Sequence, residues 1–135
     1  MNKIIWCLLG PFLAYGVQAQ ELNGFDLSNT SIPVNQILSG GPPRDGIPSI
    51  DHPEFKGVDQ YREFSNQSEV LGVFYNNVAK AYPINIMDWH EIVNDDFNGK
   101  PVVVTYCPLC GSGIAFGALV NGEPSEFGVS GLLYN

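Results

Sequence analysis

The stretch that most constrains this chain runs Val102-Val103-Val104-Thr105-Tyr106-Cys107-Pro108-Leu109-Cys110-Gly111-Ser112-Gly113. Five uncharged residues, four β-branched and one aromatic, read as a buried strand. Proline and glycine around the cysteines then force a tight turn at its end. Two cysteines at this spacing exchange disulfides, hold a metal or form a local bridge. The strand has to be buried and the turn reachable, so the rest of the chain is expected to cover one and leave the other open.

Composition agrees with a strand-and-loop protein. Only 15% of the 135 residues are charged, and 15 glycines and 10 prolines disfavour long helices. Length allows one modest domain. The net charge of −8, with no basic run, excludes nucleic acid as a partner, because phosphate binding needs clustered Lys and Arg.

Residues 1–19 read as an export signal. Asn2-Lys3 carries the positive end, Ile4 to Val17 is apolar, and Val17-Gln18-Ala19 presents suitable residues to a signal peptidase. The apolar part is too short, and too broken by Gly10, Pro11 and Gly16, for a transmembrane span. Cys7 would leave with the signal, and Cys107 and Cys110 would enter an oxidising periplasmic or extracellular space as a pair.

Residues 20–39 show little periodicity and read as a loosely packed lead-in, with a short strand or helical turn near Ile37. Gly40 to Pro53 is a long ordered loop of the kind that borders sites. Val70–Tyr75 and Val78–Tyr82 form a predicted hairpin about Asn76-Asn77, and Asn98-Gly99 pairs the segment His90–Asp95 with the strand at Val102. One turn of helix is expected between them, over Ile84 to Trp89. A third hairpin is expected about Asn121-Gly122, joining residues 114–120 to residues 125–129. The fold class is therefore α+β and β-rich, an antiparallel meander with long Gly/Pro loops. The apolar end, Gly131-Leu132-Leu133-Tyr134-Asn135, has no evident partner in the sequence and suggests a truncated domain.

Five ordered motifs carry a resemblance. They are Gly46-Ile47-Pro48-Ser49-Ile50-Asp51-His52-Pro53, Ala81-Tyr82-Pro83-Ile84, Trp89-His90-Glu91-Ile92-Val93-Asn94-Asp95, Val104 to Gly111, and Phe127 to Asn135. Together they are similar to the mostly bacterial domain of unknown function numbered 3179, over about residues 40–135. The resemblance implies a bacterial source and the N-terminal portion of such a domain, and it implies no activity.

Chemistry therefore rests on the residues. The leading reading is a metal site, in which Cys107 and Cys110 act with His90 and His52, flanked by carboxylates, on zinc or copper; thiol–disulfide exchange comes second. For thiol–disulfide exchange, Cys107 would attack and Cys110 resolve. The glycines at 111 and 113 disfavour the helix start that usually activates such a thiolate. In the third reading, an interaction module keeps the pair as a structural disulfide. His90 is expected to open the strand beside Cys107, whereas His52 reads as an exposed loop histidine. Asn94-Asp95-Asp96 reads most simply as a turn cap.

Overall fold

The structure is a computed structural model that describes residues 21–60 and 64–134; the expected export signal, with Cys7, lies outside these. The protein is strand-rich with little helix. Its strands are β1 (Glu21–Leu22), β2 (Phe25–Asp26), β3 (Ile37–Ser39), β4 (Val70–Tyr75), β5 (Val78–Pro83), β6 (Ile92–Asp96), β7 (Pro101–Cys107), β8 (Ser112–Gly117), β9 (Leu119–Val120), β10 (Glu123–Pro124) and β11 (Leu132–Tyr134). Among the described residues one α-helix, α1 (Ile84–His90), joins β5 to β6.

Every strand pairing is antiparallel, and β6-β7-β8 is the three-stranded centre. Four two-residue turns set the registers: Asn23-Gly24, Asn76-Asn77, Asn98-Gly99 and Asn121-Gly122. All eight residues have positive φ, between 46° and 86°. Asparagine and glycine tolerate that region, and its twist suits a right-handed hairpin. The predicted β4–β5 and β6–β7 hairpins form, with Tyr75 opposite Val78 and Val93 opposite Val104. The third is shorter than expected: β9 meets β10, and residues 125–131 run as irregular chain.

Alternation along β7 separates two faces. Val102, Val104 and Tyr106 point towards Tyr82, Met87, Val93 and Phe97, and this cluster is the core. Helix α1 closes one end of it. Pro83 sets the start of α1, Met87 is fully buried, and Glu91 ends the helix at φ 57° with its N–H donated to Met87 O at 2.8 Å. The helix phase sends Met87 inward and leaves Trp89 78% exposed, so Trp89 is not the core residue of this segment.

The opposite face carries Ile92, Asn94, Val103, Thr105, Cys107 and Ile114, and other chain segments lie over it. Ile50 instead extends the edge of β6, with Asn94 N–H donating to Ile50 O and Ile50 N–H to Ile92 O, and packs against the core. The terminal segment has a partner after all: β11 pairs with β3, Leu133 opposite Leu38. Residues 21–39 are stitched in by the same pairing and by Asn23, whose Nδ2 donates to Ser130 O at 2.6 Å.

Candidate functional site

Cys107 is the last residue of β7 and pairs with Ser112, the first of β8. The cysteines thus sit on a hairpin loop, Pro108-Leu109-Cys110-Gly111. Cys110 N–H donates to Cys107 O at 3.2 Å, and Gly111, at φ 60°, turns the chain back. Both cysteines are free thiols with Sγ atoms 2.7 Å apart; Cys110 is exposed and Cys107 half-buried. A hairpin has no helix N-terminus, so no macrodipole acts on either sulfur. The hydrogen bond with Cys107 pushes the Cys110 thiol up, helped by desolvation and by the charge of Cys107 and opposed by Ser112. Cys110 is therefore the sulfur whose proton is held more firmly than in a free thiol.

Cys107 opens into a groove of about 770 Å³. Its floor is the outer face of the central sheet, with Ile92, Thr105, Cys107 and Ile114. Gly40, Pro42 and Ile47 of the long loop form one wall, and Gly128–Leu133 form another. Asp88 and Glu91 stand at the α1 end, and the lining includes no Lys, Arg or His. The acidity is felt at Tyr106, whose phenol is pushed up by desolvation first, then by Asp88, Glu69 and Cys107.

A buried polar clip holds the second wall in place. Asn94 is 6% exposed and bonds Phe127 on both backbone groups: Nδ2 to Phe127 O at 2.8 Å, and Phe127 N–H to Oδ1 at 2.9 Å. Its Nδ2 also donates to Asp51 Oδ1 at 2.8 Å, and Ser49 donates to the same oxygen at 2.7 Å. These two bonds, Asn94's first, hold the Asp51 carboxyl below the usual range, with a smaller pull from His52. Asp95, expected only as part of a turn cap, accepts from Lys80 Nζ and from Tyr82 O–H, each at 2.6 Å. Burial and Asp95 together push the Tyr82 phenol well above its ordinary range. Only Asp96 caps a turn, accepting from Gly99 N–H at 2.7 Å.

Of the residues expected to share a metal, Cys107 and Cys110 adjoin, and neither His90 nor His52 lines their groove. His90 ends α1 instead of opening β6, because Glu91 supplies the left-handed break one residue later. Its Nδ1 lies 2.9 Å from Pro48 O, and it is not among the groove-lining residues. His52 is exposed, beside Asp51 and Glu54 in a separate acidic groove. Among the described residues no three His, Cys, Asp or Glu side chains gather in a way that would hold a metal ion. No helix among them is long and apolar enough to cross a membrane.

Sequence reasoning missed the clip and the Lys80–Asp95–Tyr82 network. An asparagine directly after Ile92-Val93 in a strand was the available signal for the first; nothing local announced the second. No curated protein and no solved structure matches the chain significantly. Residues 44–135 match the family described as "Protein of unknown function (DUF3179)", and this chain belongs to that family.

Proposed function

We propose that this is an exported cell-envelope protein whose Cys107–Cys110 pair undergoes thiol–disulfide exchange. One observation carries the reading: two free sulfurs lie 2.7 Å apart on an open hairpin loop, one of them facing a groove. In the reduced state the Cys107 thiolate attacks a substrate disulfide, forming a mixed disulfide and releasing one substrate thiolate. Cys110 then loses its proton and attacks Cys107 Sγ. The products are the Cys107–Cys110 disulfide and the second substrate thiol, with two electrons and two protons transferred to the substrate. The reverse sequence oxidises a substrate dithiol.

A metal reading has one observation in its favour, the Cys-Pro-x-Cys-Gly hairpin, a knuckle that turns two sulfurs the same way. It supplies two ligands for zinc or copper, half of a tetrahedral set.

Elemental analysis, a thiol count and a redox titration on protein from its native compartment separate the readings. Exchange predicts metal-free protein whose disulfide equilibrates reversibly with dithiothreitol, lost in both Cys107→Ser and Cys110→Ser. About one equivalent of zinc or copper, absent from Cys107→Ser, overturns exchange in favour of metal. A disulfide that dithiothreitol cannot reduce in the folded protein overturns it in favour of a passive staple.

A further inference from the structure

We infer that the groove at Cys107 receives an extended, positively charged polypeptide segment, whose own cysteine exchanges with Cys107. The inference rests on the exchange reading and names the partner of that site. Its first support is charge. Asp88 and Glu91 line the groove into which Cys107 opens, with no cation among the lining residues to offset them. The groove is therefore net negative and favours a cationic segment. A substrate bearing Lys or Arg beside its cysteine supplies the missing positive charge. An anionic thiol adds a further repulsion.

The second support is the edge of β8. Tyr106 N–H donates to Glu91 O, so Tyr106 faces β6 and Thr105 faces β8. Thr105 pairs with Ile114, which turns Ile114 inward and leaves the N–H and C=O groups of Gly113, Ala115 and Gly117 outward. Among the described residues no strand pairs with that edge. The sequence Ser112-Gly113-Ile114-Ala115-Phe116-Gly117 carries no Lys, Pro or other charge, the devices that usually block strand addition. The edge starts two residues after Cys110, and Ile114 is shared with the groove. An added strand therefore runs beside the sulfurs, held by main-chain bonds and selected by charge.

The test uses the full chain in oxidised form and follows its reduction by matched single-cysteine peptides, flanked by lysines or by glutamates. Cysteamine and glutathione serve as cationic and anionic small thiols, and dithiothreitol as the neutral control. The lysine peptide is expected to react about tenfold faster than the glutamate peptide at low salt, with the ratio collapsing at high salt. Asp88→Asn and Glu91→Gln should each shrink that ratio about threefold. Ala115→Pro removes an outward N–H without touching the β7 ladder. It should slow the lysine peptide and leave dithiothreitol unchanged. Equal peptide rates with normal dithiothreitol reduction overturn this inference alone. Cysteamine as fast as the lysine peptide, with Ala115→Pro silent, overturns the polypeptide partner. Failure of dithiothreitol itself overturns the exchange reading beneath it.

Discussion

Asn94 offers the sharpest test of how the groove is held. Its side chain makes three hydrogen bonds, two to the backbone of Phe127 and one to the Asp51 carboxylate. Asn94→Ala deletes all three. At about 1 kcal/mol for each neutral bond and about 1.5 kcal/mol for the charged one, the loss is about 3.5 kcal/mol. Phe127 is 37% exposed, so water recovers part of its backbone bonding, and about 2–3 kcal/mol is the expected net cost. That is a large share of the stability of a small domain, about 5–15 kcal/mol. Asn94→Asp separates shape from chemistry. It keeps the outline of the side chain, loses both donors, and sets a second carboxylate against Asp51. At neutral pH it should be worse than alanine. Burial and the like charge raise the folded-state pKa of the new carboxyl above its unfolded value, so stability returns as pH falls through that raised value. Urea unfolding at a series of pH values measures both variants. A cost under about 1 kcal/mol for Asn94→Ala, or an Asn94→Asp variant with no acid recovery, would refute the clip as the element holding the wall.

Asp95→Ala leaves the Lys80 ammonium, 16% exposed, with only the Asp96 carbonyl and the Phe55 and Phe97 rings, and strips Tyr82 O–H of its acceptor. It should cost about 3 kcal/mol, more than the double variant Lys80→Met with Asp95→Leu, by chemical denaturation. Gly131→Ala should cost about 2 kcal/mol and expose the β3–β11 amides to hydrogen exchange. Gly131 has φ +66°, and an added Cβ would collide with the Pro42 carbonyl. Asp51 has a lowered folded-state pKa, so its contribution is present above the unfolded value near about 4 and is lost as pH falls through the lowered one. The urea midpoint of the wild type should drop over that acid window, and Asn94→Ala should flatten the drop.

Local chemistry decides how much of this was legible in the sequence. Asn76-Asn77 and Asn98-Gly99 announced two hairpins because positive φ at both turn positions narrows the choice of residues. The same signal at Asn121-Gly122 found the turn but not the strand lengths, since β10 stops at Pro124 and the chain then follows Asn94 instead of a strand. His90 was misplaced by two residues because the left-handed break falls on Glu91, a residue with no glycine-like preference for it. That small shift in phase moves the imidazole out of the strand. The β3–β11 pairing joins residues more than ninety positions apart, and nothing short-range specifies it. The cysteine turn was legible as a turn. That it closes a hairpin depends on β8 pairing with β7, whereas residues 114–120 were expected to pair with residues 125–129.

The hairpin also determines what kind of chemistry the two sulfurs can do unaided. A cysteine at a helix start carries its activation with it, from the dipole and free N–H groups. Cys107 lies at a strand end, in a groove that Asp88 and Glu91 also line and that no Lys, Arg or His lines, next to Cys110, whose thiol is pushed up. On the exchange reading, a cationic partner supplies the charge that this lining lacks. On the exchange reading, the acidity that would slow reaction with anionic thiols is the same feature that would reward a basic partner. Specificity and restraint would then come from the same two carboxylates, and removing them should make the pair less selective and more reactive towards neutral thiols at once. Asp88→Asn with Glu91→Gln, assayed with dithiothreitol, should reduce about threefold to tenfold faster than the wild type. An unchanged rate would mean that these carboxylates do not act on Cys107 at all.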